Sequence, residues 1–493
     1  MNHIEETLDP QDWETTRALA HRMIDDAVAY LQTVRERPVW QAMPAEVQAS
    51  FTTPLPEEPT ALEEVYQRFL DNGLPYPMGN IHPRFWMWYM GSSNFTGAMG
   101  DFLAAIIGSN LGGGNHAAAL IDNQVVDWCK EMVGFSASAS GTLVSGGSMA
   151  NMIGLTVARN VMAGIDVRVE GVANLDKPLR FYSSDQVHGC HQKAVEVLGL
   201  GRQALRKVPS TAHFEMDIDA LRAAIHADRA AGFLPACVIA NAGAVNTGAI
   251  DDLAAIAELC DDENLWFHVD GCIGALIAVA PENRHRVAGL ELADSVALDP
   301  HKWLHAPFEV GCALVRDARA HLQTFTLTPE YLERAQRGVA AADWLYDYGM
   351  QTSRGFRALK VWLSLQEHGV QKFGWLIDQN IAQAQYLTKL IEADPQLELM
   401  TPTNINIVCF RYNPGHLAEA TLKRINVEIM QQMQESGIAA VSDTTLRGRH
   451  CLRAAINNHR TQRADLHLLV AEVVQIGQDI ISESFLLEQA AVE

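Results

Sequence analysis

The sequence predicts an α/β fold built on a largely parallel sheet, with a helical segment before it and a smaller α+β region after it. Between about residues 81 and 370, short apolar β-type runs alternate with helical stretches, a pattern typical of parallel sheets. Several of these runs are apolar nearly throughout, as expected for strands covered on both faces. We therefore expect an N-terminal helical segment at 1–80, a large α/β domain at 81–370 and a small α+β domain at 371–493.

Six strands and three helices define the predicted large domain. The helices are expected at about 149–164, 213–232 and 251–264, between the strands. In chain order the strands read GTLVSG, RFYSS, ACVIANAG, LWFHVDG, DSVALD and GCALVRD. Open sheets of this type bind ligands outside the carboxyl ends of their strands, so we expect the functional residues there.

The regions before and after the large domain have different patterns of predicted secondary structure. WETTRALAHRMIDDAVAYLQTV has apolar residues at helical spacing, and the proline-rich stretch at 37–59 that follows it cannot stay helical. Such a segment has little to bury alone and is expected to pack on the main body or on a second subunit. Towards the C-terminus, helices are predicted at 372–393 and 463–486, and strands at INIVCFRY and HCLRAAI.

Composition and charge exclude several classes of function. The formal net charge is −22, whereas a nucleic-acid partner requires a basic surface. The first residues lack the pattern of a secretory signal, and no apolar run is long enough to cross a membrane. The eight cysteines show no CxxC pair and no metal-ligand spacing, which predicts buried free thiols and no metal site. We expect a soluble cytoplasmic protein that acts on a small molecule.

Two charged residues stand at the ends of predicted strands. Lys302 follows the strand in SVALDPHKW, where a desolvated lysine can form an imine with an aldehyde cofactor; a surface lysine in a loop is the alternative. Asp270 ends the strand in LWFHVDG, where a buried carboxylate needs a cationic partner such as a protonated pyridine nitrogen. A helix N-cap or a metal ligand is the other interpretation of this aspartate.

Two further segments supply complementary groups. Gly146, Gly147 and Ser148 lie between a strand and a helix, so backbone N–H groups and the helix dipole can hold a phosphate there. Their spacing matches neither a P-loop nor GxGxxG, which argues against a nucleotide. His188 also follows a strand and can stack on an aromatic cofactor or exchange protons, although it can equally be an ordinary histidine at a helix start. Taken together, these groups are the ones that pyridoxal 5′-phosphate (PLP) requires.

The motifs SGGSMAN, SSDQVH, HVDG and DPHKW resemble those of the group II PLP-dependent decarboxylases, which include aromatic-L-amino-acid, histidine, glutamate and cysteine-sulfinate decarboxylases. The resemblance extends from IHPRFW to LRAAINNHRTQRADL and thus covers most of the chain. It implies the PLP-dependent transferase fold type I, with a mostly parallel seven-stranded sheet. It also implies PLP as the cofactor and a homodimer whose active sites are shared between the subunits.

The resemblance also implies a role for individual residues. Lys302 matches the Schiff-base lysine, Asp270 the partner of the pyridine nitrogen, and His188 the histidine that stacks on the ring. His301 matches a histidine near the phosphate and the substrate carboxylate. The implied cofactor positions are Gly146, Gly147, Ser148, His188, Asn246, Asp270, Cys272, His301 and Lys302, and the implied substrate positions are His82, Arg84, Trp86, His116 and Phe308.

Several residues depart from the family pattern. Residues 243–245 read Gly-Ala-Val in place of GTT, and Asn246 or Thr247 is expected to replace the lost hydroxyl. Asp299 stands where aromatic decarboxylases carry Asn, which places a repulsive charge beside the phosphate. Glycines at 112–114 indicate a reshaped and roomier pocket, with Asn115 and His116 as polar groups.

The substrate motifs are mixed. IHPRFW resembles the glutamate type, whereas HKW resembles the aromatic type. Arg84 is able to read an acidic substrate group, but a structural ion pair is the more common role for such an arginine. A mobile loop is expected within 333–349. By spacing, Leu345 occupies the position of the family's proton-donating tyrosine, and we predict Tyr346, with Tyr348 behind it, as the acid.

The sequence therefore predicts PLP-dependent decarboxylation of an L-amino acid to its amine and CO2. An aromatic substrate is preferred, with an acidic one as the alternative. Because the loop tyrosine is displaced, an oxygen-using aldehyde synthase is the runner-up. A carbon–carbon lyase would need a second phosphate-binding cluster, which the sequence does not contain. A PLP-binding protein without turnover is the non-enzymatic alternative.

Overall fold

The structure is a computed structural model that describes residues 6–327 and 335–490. Its helices are α1 Trp13–Gln32, α2 Ala45–Ser50, α3 Leu62–Asn72, α4 Phe95–Ile107, α5 Ala117–Met132, α6 Gly147–Met162, α7 Val167–Glu170, α8 Gly189–Val197, α9 Ile218–Ala230, α10 Leu253–Glu263, α11 Pro300–Trp303, α12 Ala318–Phe325, α13 Ala358–Ala393, α14 Glu419–Glu435 and α15 Arg463–Ala490. Its strands are β1 Phe85–Trp86, β2 Ser140–Val144, β3 Leu179–Ser184, β4 Leu205–Val208, β5 Leu234–Asn241, β6 Trp266–Asp270, β7 Ser295–Leu298, β8 Gly311–Val315, β9 Leu397–Leu399, β10 Ile407–Tyr412, β11 Ala440–Leu446 and β12 Arg449–Ala455.

The larger sheet has seven strands in the order β2-β8-β7-β6-β5-β3-β4. The five strands from β7 to β4 are parallel, whereas β8 runs antiparallel to both of its neighbours. Strands β6, β7 and β8 are buried at every residue because helices cover both faces of the sheet. The expected α/β fold with a mostly parallel seven-stranded sheet is confirmed.

All six predicted strands are present, and β4 is an additional strand that the sequence did not reveal. This strand reads LRKV and lies at the edge of the sheet, where its two central residues are not buried. A short edge strand with two basic residues lacks the continuous apolar pattern by which the inner strands were recognised.

The smaller sheet has the order β1-β11-β12-β10-β9. Its first strand, β1, is far away in the chain and pairs in parallel with β11 through Phe85↔Ala440 and Trp86↔Val441. Residues 85 and 86 were expected in the large domain, but their backbone completes the sheet of the small one. The proposed domain bounds at 80 and 370 otherwise remain a prediction.

Helix α13 joins the two sheets. The predicted helix at 372–393 is its second half, and Gly369 (φ 70°, ψ 149°) interrupts the helical backbone just before that half. Glycine adopts this positive φ without the steric conflict that a Cβ would cause. The kink lets one continuous segment pack against α4 and α5 at one end and the small domain at the other.

The N-terminal helices α1, α2 and α3 contain no buried residue. Helices α1 and α3 contact each other, since the Tyr66 hydroxyl donates to Asp26 Oδ2 at 2.9 Å and Arg22 lies 3.4 Å from Glu63. Large apolar side chains such as Leu62 and Phe69 remain exposed on them. None of the helices within the described residues is both long and apolar enough to traverse a bilayer.

Candidate active site

The carboxyl ends of β5, β6 and β7 open onto a cavity of about 560 Å³. Helices α6, α8 and α11 begin at the same edge because each follows one of the strands of the large sheet. Every predicted cofactor residue lines this cavity: Gly146, Gly147, Ser148, His188, Asn246, Asp270, Cys272, His301 and Lys302. Residues that are widely separated in the sequence thus meet in one crevice, at the place that parallel sheets use for ligands.

Asp270, the last residue of β6, forms the floor of the cavity. Its Oδ2 lies 2.8 Å from His191 Nε2, and its Oδ1 accepts the backbone N–H of Cys272 at 3.2 Å. Burial raises the pKa of the Asp270 carboxyl, but the hydrogen bond and the charge of His191 lower it by more, so the pKa lies well below its usual value. Asp270 is therefore an anion at neutral pH and presents the charge that a pyridinium nitrogen requires.

Lys302 lies within the short helix α11 and is paired with Asp299. Its Nζ lies 3.0 Å from Asp299 Oδ2. Burial lowers the pKa of the lysine, but the Asp299 carboxylate raises it by more, so the pKa lies above its usual value. The repulsive charge expected at Asp299 is thus compensated by the amine that the cofactor would engage.

The candidate phosphate-binding site lies at the start of α6. Gly146 has φ 144°, a conformation that disfavours other residues, and it directly precedes the helix. A Cβ on Gly147 would lie 2.4 Å from Cys272 Sγ and 2.8 Å from Asp299 Oδ2. Gly146 is therefore required by its backbone conformation and Gly147 by the close approach of neighbouring side chains, and the free N–H groups of the first helical turn suit a phosphate.

Two histidines border the cavity. His188 caps α8, and its Nδ1 accepts the backbone N–H of Cys190 at 3.2 Å. His301 Nδ1 lies 2.7 Å from the carbonyl oxygen of Val310, and its ring packs on Phe308 with centroids 4.6 Å apart. Burial lowers the pKa of His301, which keeps its imidazole neutral.

Of the two residues suggested to replace the missing hydroxyl, only Asn246 lies at the cavity. Its Oδ1 accepts the Thr444 hydroxyl at 3.4 Å. Thr247 is fully buried, where its hydroxyl accepts the N–H of Ala249 at 3.3 Å. Thr247 is not among the described residues that line the cavity.

None of the five predicted substrate residues is among the described residues that line the cavity, although Phe308 packs on His301, which does line it. Trp86 is fully buried in the small domain, with Nε1 3.3 Å from the Thr461 hydroxyl. Arg84 Nε donates to the carbonyl of Ile438 at 2.6 Å, and His82 Nδ1 accepts the N–H of Arg84 at 3.0 Å. The structure does not bring these three residues to the cavity wall; instead Trp88, Tyr89 and Met90 of the same segment line it.

His116 also lies away from the described wall. It caps α5, with Nδ1 3.3 Å from the N–H of Ala119. The glycines at 112–114 have a packing reason, since a Cβ on Gly113 would lie 2.6 Å from Trp344 Cα. Added Cβ atoms on Gly112 and Gly114 would likewise approach the carbonyl oxygens of Thr352 and Val339, so the glycines accommodate the close approach of residues 339–352.

Tyr346 belongs to a 3₁₀ turn at Leu345–Tyr348 and is buried. Its backbone N–H donates to the carbonyl of Gly112 at 3.0 Å, and its ring lies 5.5 Å from that of Trp344. Neither Tyr346 nor Tyr348 is among the described residues that line the cavity. Residues 333 and 334 of the predicted loop lie outside the described part of the chain, so the role of Tyr346 stays a prediction.

The sequence did not single out His191, Cys190 or Arg453. Arg453 of β12 reaches the cavity and donates to the carbonyl oxygens of Trp88 at 2.6 Å and Asn246 at 3.2 Å. His191 lies one helical turn after His188, a spacing that could have placed it on the same face of α8. Cys190, His191 and Asp270 have ligand-type atoms within 4.8 Å of one another, but His191 and Asp270 are already hydrogen-bonded to each other.

The residues present fit PLP. A cavity of about 560 Å³ lies in the size range of small-molecule sites. It combines an amine, a buried carboxylate and a glycine-rich helix start, which match the aldehyde, ring nitrogen and phosphate of the cofactor. Asp299 also lines the cavity and is a carboxylate that the fit does not require.

Comparison with known proteins gives a consistent result. The family model described as "Pyridoxal-dependent decarboxylase conserved domain" matches residues 44–413. The aromatic-L-amino-acid decarboxylase of Bacillus atrophaeus is 33% identical over 95% of this chain and 96% of its own length. The phenylacetaldehyde synthase of Arabidopsis thaliana is 28% identical over 92% of this chain and 94% of its own length.

The fold also matches solved structures. The Oryza sativa TDC, crystallised with PLP and tryptamine, superposes with a TM-score of 0.88 and 24% identity. The match covers 96% of this chain and 100% of that one. At this identity the likeness shows the fold alone.

Proposed function

This chain belongs to the pyridoxal-dependent decarboxylase family, and from that premise we propose that it decarboxylates an aromatic L-amino acid to the amine and CO2. The proposal rests on one observation above all: Lys302, Asp270 and the α6 start share one cavity, whose wall also carries Trp88 and Tyr89. Relatives named as aromatic-L-amino-acid and tyrosine decarboxylases support an aromatic substrate.

The cofactor and the protein have separate roles in the proposed reaction. Bound PLP supplies an electron sink for the negative charge that loss of CO2 leaves on Cα. Asp270, anionic on the cavity floor, would hold the ring nitrogen protonated, and Lys302 would tether the cofactor. The N–H groups at the start of α6, with Ser148, would bind the phosphate, while His188 would lie against the ring.

Arg453 is proposed to bind the substrate carboxylate. Its guanidinium is held at the wall by the carbonyls of Trp88, Val245 and Asn246 and by the Ser442 hydroxyl at 3.3 Å. These partners are neutral, so the positive charge of the arginine remains available to an anion. Arg453→Gln should raise the KM for the amino acid while leaving PLP affinity near that of the unaltered protein; an unchanged KM would remove this role.

A homodimer with shared active sites is proposed as the working assembly. The helices α1–α3 bury none of their residues, and Ile106 of α4 is 72% exposed. Tyr346 is not among the described residues at the cavity of its own chain, which supports its acting as the acid in the cavity of a partner. The cytoplasm is proposed as the compartment, supported by eight buried free cysteines.

Sharing of the site can be tested by mixing two inactive variants. Lys302→Ala lacks the tether and Tyr346→Phe lacks the proposed acid, so each homodimer should be inactive. If the sites are shared, a dimer of one subunit of each kind has one cavity with both residues intact and regains part of the activity. Absence of any recovery after verified subunit exchange would exclude Tyr346 as a residue supplied by the partner.

An oxygen-using aldehyde synthase is the second candidate. It is favoured by Leu345 at the position of the family's tyrosine and by a relative named as phenylacetaldehyde synthase. An acidic substrate and a PLP-binding protein without turnover remain as further alternatives. All of them differ in the products they predict.

The deciding experiment measures four products together. The purified protein with PLP is incubated separately with tryptophan, tyrosine, phenylalanine, glutamate, aspartate and cysteine sulfinate, and CO2, amine, aldehyde and peroxide are quantified. Amine and CO2 in equal amounts from an aromatic substrate support the proposal. Aldehyde with peroxide would favour the synthase, and no CO2 from any amino acid would favour binding without turnover. Lys302→Ala serves as the control.

A further inference from the structure

A buried histidine contacts the carboxylate of Asp270. His191 in the first turn of α8 is fully buried, and its Nε2 lies 2.8 Å from Asp270 Oδ2. The other oxygen, Oδ1, accepts the N–H of Cys272 at 3.2 Å. Each oxygen of the carboxylate therefore has a donor from the protein, and these two donors fix the rotation of the carboxylate group.

The proton of this pair resides on His191. Burial lowers the pKa of His191, but the Cys190 sulfur and Asp270 raise it by more, to about 10. The neighbouring His268, with ring centroids 6.1 Å away, has its two nitrogens at 2.7 Å from the Ser295 hydroxyl and 2.8 Å from Asn151 Oδ1. Burial and the charge of His191 lower the pKa of His268 to about 3, so His268 stays neutral.

Cys190 is the third residue of this group. Its Sγ lies 3.6 Å from Asn151 Nδ2. The same sulfur lies within 4.8 Å of a ring nitrogen of His191. A polarisable sulfur and a carboxylate thus lie near one fully buried imidazole. Such surroundings stabilise the protonated ring.

We infer that His191 is a positioning residue that acts on the cofactor through Asp270. By donating Nε2–H to Oδ2, it holds the carboxylate anionic and in one orientation toward the ring nitrogen of PLP. The inference rests on the proposed role of Asp270, and it deepens that role by adding a residue behind the carboxylate. A histidine that only fills space in the core would stabilise the fold without distinguishing one cofactor ring from another.

The test uses a cofactor analogue without the ring nitrogen. In 1-deazapyridoxal phosphate a C–H group replaces that nitrogen, while the aldehyde and the phosphate remain. Dissociation constants of PLP and of the analogue are measured for the full-length apoprotein by equilibrium dialysis. The unaltered protein should prefer PLP, and Asp270→Ala should abolish this preference.

His191→Val should weaken PLP binding roughly tenfold or more, the effect of losing one hydrogen bond to a charged group. The same substitution should change binding of the analogue by less than about twofold, because no ring nitrogen reports on Asp270. His191→Gln, which keeps a side-chain N–H donor, should recover part of the preference.

As a matched control, His321→Val removes a buried histidine on α12 whose Nδ1 lies 2.8 Å from the Ser140 hydroxyl. It should leave the preference unchanged.

The two possible failures are distinguishable. If the unaltered protein binds PLP and the analogue equally, the contact between Asp270 and the ring nitrogen is wrong and the proposed function of Asp270 fails. If the unaltered protein prefers PLP but both His191 variants keep that preference, only the inference about His191 fails. An equal loss for both compounds, including complete loss of binding, means general damage to the cavity and also overturns the inference.

Discussion

Two opposing effects act on the pKa of the Lys302 amine. Its pKa is lowered by burial and raised more strongly by Asp299, whose Oδ2 is 3.0 Å away. Only the neutral amine attacks an aldehyde, so the carboxylate slows attachment of the cofactor while it stabilises the cation. The same carboxylate lies beside the helix start that suits a phosphate, where an additional negative charge is unfavourable.

Asp299→Asn is therefore expected to lower the pKa of Lys302 and to accelerate uptake of PLP at neutral pH. The apoprotein is mixed with PLP at several pH values between about 6 and about 9, a range that spans neutrality. The rate of uptake is followed by stopped-flow absorbance. Asp443→Asn, which alters another carboxylate of the cavity wall, is the matched control. Slower uptake by Asp299→Asn would show that the carboxylate assists the lysine instead of restraining it.

The Cys190 thiol should be the most reactive cysteine of the apoprotein at neutral pH. Burial raises its pKa, but His191 and His188 lower it by more, to about 7. Alkylation with iodoacetamide, in which the sulfur displaces iodide, should increase with pH around that value because the thiolate is the nucleophile. Cys237, whose pKa burial raises well above its usual value, should remain unlabelled.

Peptide mass spectrometry after timed alkylation measures this reactivity site by site. Saturating PLP should protect Cys190, since the residue lines the same cavity. A midpoint near pH 9, or equal labelling with and without PLP, would contradict the assignment.

At the scale of elements, the close contact between α6 and the end of β6 determines which residue can begin the helix. Gly147→Ala would place a Cβ 2.4 Å from Cys272 Sγ and 2.8 Å from Asp299 Oδ2. Because overpacking at this contact forces the side chains of Cys272 and Asp299 to shift, we expect PLP affinity to fall roughly tenfold or more. Gly189→Ala at the start of α8 is the control, since nothing lies within 4 Å of its added Cβ. Equal affinity for PLP in both variants, measured by fluorescence titration, would argue against a phosphate at α6.

The elements also separate what a local pattern can predict from what it cannot. The inner strands β5, β6 and β7 are continuous apolar runs, so their sequence identifies them without knowledge of their neighbours. By contrast, β1 has two residues and exists only because β11 lies beside it. A two-residue strand has no periodicity to detect, and its pairing partner is more than three hundred residues away in the chain.

At the scale of the whole molecule, the exposed apolar surface of α4 should lie in the dimer interface. Ile106 is 72% exposed and Ile107 is 58% exposed, which is unusual for adjacent large apolar residues without a partner. Ile106→Asp should convert the dimer to a monomer and remove decarboxylase activity, with unchanged far-UV circular dichroism. Light scattering after size-exclusion chromatography measures the mass.

A matched substitution tests whether the effect is specific to this surface. Val169→Asp changes a residue of α7 that is 81% exposed, and the variant should behave as the unaltered protein. If Ile106→Asp stays dimeric and active, α4 does not form the interface.

The sequence by itself determined the chemistry of this PLP-dependent amino acid decarboxylase. Lys302, Asp270 and the Gly146–Gly147 turn each lie at or just after the end of a recognisable strand, and parallel strands bring such positions to one edge of the sheet. The order and spacing of the motifs were therefore sufficient to predict the fold class and the cofactor, and the residues predicted to hold the cofactor line one cavity.

Only the tertiary structure decided which side chains support or surround that chemistry. His191 pairs with Asp270, Arg453 arrives from β12 in the second sheet, and Trp88 and Tyr89 replace Trp86 at the cavity wall. None of these contacts follows from a local repeat, because side-chain direction at the end of a strand or in a loop depends on what packs against it. Local patterns of hydrophobicity specify elements, whereas long-range packing specifies which of their residues meet.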